Sequence, residues 1–406
     1  MSYKAEIPYG VYWSTPFSKW QGSLSHLNAI AFGAHVAKLE LTKRNVAIDD
    51  FDYGVLGTTI PQKHAFYGAP WLTGLIGAKD AGGPTINQAC ATGVRTLLAA
   101  VQEIEFGLVE KALVVNADRC SNGPHIVYPN PAAPGGTAEQ ENWVLDNFSY
   151  DPLGSNSMLQ TAENVAKKHR LSFEEQHEVV LQRCDQYRSA CAFDHAFHKR
   201  FITLPFAVPN VRFNKTITTL KGDEGVVLSS AEGLAKLKPV LPGGTVTFGS
   251  QTHPADGSAG LVVTTSDRAR EISTDPSIRI RLQGFGMART KQAYMPEAII
   301  PAVQQALKQA SLTIKDINAI TSHNPFAVND IVFAKAIGWD VMNMNNYGCS
   351  LVWGHPQGPT GTRSIIELIE ELAIRGGGYG LFEGCAAGDT AMAVVLKVDN
   401  GQGASS

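Results

Sequence analysis

Four side chains of types that do covalent or proton-transfer chemistry stand here in turns of small residues. Cys90 lies in Asn87-Gln88-Ala89-Cys90-Ala91-Thr92-Gly93, between a strand-like stretch at 84–86 and a long helical run. A sulfur at a helix N-terminus meets free N–H groups and the positive end of the dipole, which favour the thiolate. Thr92 and Gly93 are small enough to let a substrate approach. His355 stands between Gly354 and Pro356, with two more glycines following. Such a rigid, uncrowded loop suits a base or hydrogen-bond donor beside a nucleophile. Cys385 lies in Glu383-Gly384-Cys385-Ala386-Ala387-Gly388-Asp389, just before the last strand-like run, and His323 closes another strand-like stretch. Each has a plainer reading: a buried structural thiol for either cysteine, a satisfied turn, core or capping imidazole for either histidine. The four share one place, the end of a strand in an α/β unit, where ligands of such folds gather.

The elements that must position these turns are legible from periodicity. A strand at 52–56, an amphipathic helix at 27–41, a helical pattern over 86–107 and an apolar strand at 112–117 follow βαβ logic. That order implies a sheet covered on both faces. From 121 to 242 the texture changes. Residues 129–157 are rich in Pro, Gly, Asn and aromatics and predict a long loop, which in a compact protein is usually functional. Helices are predicted at 159–170 and 173–191, as an insertion lying over the sheet. Strand texture returns at 245–265. A second α/β half follows, with strands at 278–286, 317–322 and 391–398 and helices at 296–310 and 364–376. Asp256 and Asp389 each precede small residues and a β-branched strand, a weak echo that suggests two similar halves.

Composition narrows the class. The chain has 406 residues, and 34 basic against 37 acidic side chains leave −3, so no basic excess argues for nucleic acid or an anionic membrane. Charged residues are 17% and glycines number 39, which fits a large buried core with tight turns rather than disorder or a coiled coil. The six cysteines form no CxxC pair, so neither a disulfide framework nor a structural zinc site is expected. No apolar signal core opens the chain, and no run reaches the ~20 residues of a membrane span. A cytoplasmic protein with reduced thiols is the expectation. The tail GQGASS is expected to fray.

Eight blocks in order resemble the thiolase family over nearly the whole chain: STPFSKWQGSL, NQACATG, TAENVAKKHRLSFEEQ, DEGVVLSSAEGLAKLKP, SQTHPADGSAG, HNPFAV, GHPQGPTGTR and GCAAGD. The resemblance implies an α/β thiolase fold. Two similar βαβαβαββ-type halves would form a five-layer αβαβα arrangement with an inserted loop domain. The halves would be 1–120 with 243–268, and 269–406, the loop domain 121–242. It implies CoA-dependent cleavage of a 3-oxoacyl-CoA, as in β-oxidation, or the reverse condensation. Cys90 would be the acylated nucleophile, His355 its activator and a donor to the thioester oxygen, and Cys385 the acid/base at the α-carbon. His323 stands where many members have an oxyanion-hole Asn, and the N–H groups of Cys90 and Ala387 would form a second oxyanion hole. Met158 and Phe326 match positions near the pantetheine, and Thr252 a Ser that contacts CoA. Coenzyme A enters as substrate, and neither a metal nor a nucleotide cofactor is implied. A homodimer or tetramer is implied, and some chains of this pattern work with a small OB-fold partner. Two other readings remain: a Cys–His thioester hydrolase, and a subunit active only with, or acting as scaffold for, such a partner.

The long loop carries His125, Tyr128, Trp143, Phe148 and Tyr150 in the region that shapes the family's acyl pocket, which suggests a bulky, branched or aromatic acyl group. His195 and His198 are one turn apart beside Lys199 and Arg200, a pattern of a solvated surface more than of a metal site. GGGYG at 376–380 reads as a turn before a strand, and Lys215 and Lys221 as solvated. His253 and Cys349 fill positions where the family carries other residues, and the sequence assigns neither a role.

Overall fold

The computed structural model describes residues 3–401, so the tail from 402 onward lies outside the described residues. Its centre is a pair of apolar, β-branched strands. Lys111–Arg119 and Ala255–Thr265 are buried along their length except at their last residues. They pair antiparallel from Lys111↔Thr264 to Arg119↔Asp256. Tyr53–Gly57 adds in parallel to Lys111–Arg119, and the short Thr85–Ile86 forms the outer edge. In the second half, Ile317–His323 runs parallel to Gly377–Ala386, which pairs antiparallel with Thr390–Asn400, and that strand with Ile278–Arg289.

The halves are not separate sheets. Ala5–Pro8 pairs antiparallel with both Ala255–Thr265 and Ile278–Arg289, so one 11-stranded sheet runs through both. It wraps around two central helices, Thr92–Glu105 and Gly358–Ile374, which touch each other and strands of both halves. Ala29–Lys43 and Gly68–Ile76 cover the outer face of the first half and Ile299–Ala310 that of the second, which makes five layers.

The two central helices come together at Gly93. A Cβ there would stand 2.7 Å from the backbone N of Thr362 and 2.8 Å from the carbonyl O of Gly358. Gly93 therefore serves helix packing, not substrate access. The helix Gly358–Ile374 is buried at every residue but the last, although it carries Arg363, Glu367, Glu370 and Glu371. Buried charges persist only when paired. Arg363 lies over the rings of both Phe17 and Trp353 and binds Asp223 at 2.6 and 2.8 Å and Glu367 at 3.0 Å. Asp223 also accepts from Tyr187 Oη at 3.0 Å and Phe17 N at 2.7 Å. This cluster anchors the 121–254 excursion to the layered core.

That excursion contains the helices Met158–His169 and Phe173–Ala190, each started by a serine side chain that accepts a backbone N–H. The predicted loop at 129–157 is partly ordered. His125–Tyr128 pairs with Glu139–Asn142, and Asn142 Oδ1 accepts from the N–H groups of Val144 and Leu145 as the short helix Leu145–Ser149 begins. The strand predicted at 245–265 begins only at Ala255; a 3-10 turn at Phe248–Ser250 and Pro254 precede it. At 376–380, the glycines that were read as a turn also begin the strand Gly377–Ala386. Among the described residues no helix is long and apolar enough to cross a membrane.

Candidate active site

Cys90 sits on a tight turn, two residues before the helix Thr92–Glu105. Ala89 has φ 45, the left-handed region that costs a non-glycine residue roughly 1 kcal/mol or more. The Thr92 hydroxyl stabilises the turn: it accepts from Gln88 N at 2.8 Å and donates to Ala89 O at 2.7 Å. The half-buried Sγ faces a cavity and donates to Gln357 Oε1 at 3.3 Å. The N–H groups of Ala387 and of Cys90 itself reach the sulfur and favour its anion, but burial outweighs them and pushes the thiol up to about 12. The expected resting thiolate is therefore not met. The sulfur begins as a neutral thiol and needs a base.

Two imidazoles lie beside it. Nitrogens of His323 and His355 and the Cys90 sulfur all fall within 4.8 Å of one another. The two rings stack at 4.0 Å. Burial lowers His323 to about 3 and holds His355 well below the usual histidine range, so both are neutral near pH 7. His355 Nδ1 meets Thr360 Oγ1 at 2.7 Å and His323 Nδ1 meets Ser350 Oγ at 3.0 Å. Each Nε2 is buried and without a protein partner. Buried polar atoms are normally paired, so these are groups held ready for a ligand.

Cys385 lies deeper, at the end of Gly377–Ala386, and does not reach the cavity wall. Its sulfur accepts from Asn329 Nδ2 at 3.2 Å. Burial holds it as a thiol, with Cys90 and Glu383 as nearby groups that raise it further. Gly384 keeps the strand close to His323, since a Cβ there would be 3.1 Å from the His323 Cβ.

The cavity has a volume of about 1110 Å³. Ala387, Met158, Thr252 and Phe326 all line it with Cys90 and His355. Of the loop aromatics only Trp143 and Phe148 do so, while His125, Tyr128 and Tyr150 are exposed elsewhere. His253 also lines it, with Nε2 buried and unpaired. Cys349 is buried, its sulfur accepting from Asn324 Nδ2 at 3.2 Å, and is packing behind the site.

Sequence reading missed Gln357, Asn329, Ser350 and Asp118. Asp118 is fully buried and accepts from Thr59 N at 2.8 Å, Gly358 N at 2.9 Å, Thr58 Oγ1 at 3.0 Å, and Ile60 N and Thr59 Oγ1 at 3.1 Å. It thereby ties one cavity wall to the residue that follows Gln357. An Asp ending a buried strand was the available signal. His198 is buried, not solvated as its neighbours suggested, because the chain turns back on itself at 193–195.

Cys90 and His355 face the cavity, while His323 and Cys385 are buried behind that wall; a thiol, two neutral imidazoles with free nitrogens and a second thiol so arranged can take up an acyl group and move a proton. Comparison with known proteins places the chain accordingly. Residues 13–267 match the Thiolase, N-terminal domain and residues 277–398 the Thiolase, C-terminal domain. The chain belongs to the thiolase family. It is 28% identical over 391 residues to the human mitochondrial 3-ketoacyl-CoA thiolase, covering 94% of this chain and 96% of that one. It is 27% identical over 396 residues to the acetyl-CoA acetyltransferase of Escherichia coli, covering 94% and 96%. The crystal structure of the human mitochondrial 3-ketoacyl-CoA thiolase in complex with CoA superposes with a TM-score of 0.87 at 26% identity, covering 98% of this chain and 99% of that one.

Proposed function

We propose that this thiolase-family acyltransferase cleaves a 3-oxoacyl-CoA with coenzyme A, or runs the reverse condensation, through an acyl group on Cys90. The observation that carries the reading is the gathering of Cys90, His323 and His355 within 4.8 Å, with two imidazole nitrogens unpaired. His355 Nε2 takes the Cys90 proton, and the sulfur attacks the 3-keto carbon. The N–H groups of Cys90 and Ala387 hold the resulting oxyanion. The C2–C3 bond then breaks. Its electron pair moves onto the acetyl-CoA thioester, whose oxygen faces the Nε2 atoms of His323 and protonated His355. With the Ser350 hydroxyl hydrogen turned to His323 Nδ1, at 3.0 Å, instead of to Asn324 Oδ1, at 3.1 Å, His323 carries the Nε2–H that this needs. Cys385 protonates C2, then as a thiolate takes the CoA thiol proton. CoA sulfur displaces the acyl group from Cys90, and His355 returns the proton. An oxyanion-hole donor is typically worth about 3–4 kcal/mol.

The acyl group is bulky or aromatic, and CoA enters past Met158, Thr252 and Phe326. The support is a wall built from Trp143, Phe148, Met158, Phe248 and Phe326. The chain acts as a homodimer or tetramer: the sheet ends at the short Thr85–Ile86 edge, close to the exposed Phe66 and Tyr67. The test is the intact mass after exposure to 3-oxoacyl-CoAs from acetoacetyl to aromatic. An acyl adduct on Cys90 that free CoA removes is expected, largest with a bulky acyl group. An adduct on another cysteine overturns the mechanism, and a clear preference for acetoacetyl-CoA overturns the substrate class. Cys385→Ala separates cleavage from hydrolysis, because a thioester hydrolase would not need Cys385. Activity that appears only with a co-purified small subunit would favour the OB-fold partner.

A further inference from the structure

A second cluster of soft ligands lies away from the cavity, at the end of the helix Phe173–Ala190. Cys191, His195 and His198 bring a sulfur and two imidazole nitrogens within 4.8 Å of one another. The spacing is C-x3-H-x2-H, but a continuous helix does not make it. Phe193, Asp194 and His195 take φ values of 51, 57 and 58, three left-handed residues in a row. The chain curls there, and the His195 ring turns back toward His198. Gly222 makes room for it, since a Cβ there would stand 2.9 Å from His195 Cε1.

The His198 ring is buried and lacks an ordinary partner at both nitrogens. Nδ1 meets only His195 Nδ1, at 3.4 Å, and Nε2 has no hydrogen-bonding partner in the protein. A neutral imidazole needs one donor and one acceptor. The 3.4 Å separation is long for a hydrogen bond. It is close to the spacing of two nitrogens on one tetrahedral zinc: bonds of about 2.05 Å at a tetrahedral angle put them roughly 3.3 Å apart. Asp223 and Arg363 both face the cluster and are bound to each other, so their charges largely offset there and the case for a metal rests on the ligand geometry.

We propose that Cys191, His195 and His198 form a zinc site, with water in the fourth position. This departs from the absence of metal that the sequence suggested. Binding forms one Zn–S and two Zn–N bonds and breaks the Cys191 S–H bond, releasing its proton to solvent. Both Cys191 and His195 are half-buried, which leaves an entry path. The metal would fasten the end of the helix Phe173–Ala190 to the turn at His198–Arg200, beside the Arg363–Asp223 anchor. The site is independent of the acyl chemistry.

The full chain carrying Cys90→Ser is the material for the test, because the substitution removes the other Cys–His–His cluster. Equilibrium dialysis against zinc is expected to give one zinc per chain, and cobalt in its place a thiolate-to-cobalt charge-transfer band. His195→Gln and Cys191→Ala, added singly, are each expected to weaken zinc binding at least tenfold. Their metal-free melting should stay within a few degrees of the parent. A parent chain without bound zinc and without the cobalt band overturns the proposal, whether or not the variants fold. Undiminished zinc binding in both variants overturns it equally.

Discussion

Replacing His355 by alanine tests the chemistry of Cys90 most directly. Burial pushes the thiol up to about 12, so at pH 8 only about 10^(8−12), one part in ten thousand, is thiolate without help. His355 is neutral across the working range, because burial holds it well below the usual value, and its Nε2 is unpaired within reach of the sulfur. General-base catalysis of this kind is worth roughly 10²–10⁴. His355→Ala is therefore expected to slow acylation of Cys90 by about a hundredfold or more. The pH dependence should also change shape. The parent should be nearly flat from pH 7 to 9, since its base is already deprotonated there. The variant should rise about tenfold per pH unit, because hydroxide must then remove the proton. The assay is the single-turnover appearance of the acyl adduct by rapid-quench mass spectrometry at each pH. A variant within about threefold of the parent, or one whose rate levels off below pH 9, would refute both the raised thiol and the role of the base.

Asn329→Ala removes the amide that donates to the Cys385 sulfur at 3.2 Å. It should slow exchange of the acetyl-CoA α-protons into deuterated water at least tenfold while Cys90 still acylates; equal slowing of both steps would argue against the division of labour. Asp118→Ala leaves the buried N–H groups of Thr59, Ile60 and Gly358 without their acceptor. At about 1–3 kcal/mol each it should cost roughly 4 kcal/mol, read by denaturant unfolding. Gly93→Ala places a methyl 2.7 Å from Thr362 N and should cost about 1–3 kcal/mol, read as a lower melting temperature with an unchanged cavity-facing Cys90 adduct. Acid should also destabilise the fold through His323. Its folded value near 3 lies below its value in the unfolded chain, near 6.5. The stabilisation is thus complete above pH 6.5 and is lost as pH falls toward 3, by up to about 5 kcal/mol. In His323→Asn the acid arm of a melting-temperature-against-pH curve should flatten; an unchanged arm would show that the imidazole is solvated.

Much of the architecture was readable because its signals are local. The apolar runs at 112–117 and 391–398 are continuous periodicities and appear within two residues of their predicted places, while the helix predicted at 364–376 begins six residues earlier, at Gly358. The loop at 129–157 was harder, because a hairpin as short as His125–Tyr128 with Glu139–Asn142 has too little alternation to stand out among Pro, Gly and Asn.

By itself the sequence determined the α/β class, the change of texture after residue 121, and the small-residue turns around Cys90, His323, His355 and Cys385. Residue type and neighbours within a few positions are enough for these. Tertiary structure alone decided that one sheet runs through both halves by way of Ala5–Pro8, since strand pairing is made between residues far apart in the chain. It also decided the ionisation of the site. A helix N-terminus argues for a thiolate at Cys90, yet burial holds it as a thiol, because desolvation depends on everything packed around the sulfur. Gln357, Asn329 and Asp118 owe their places to folding as well, for each meets its partner across 56 to 267 residues of chain.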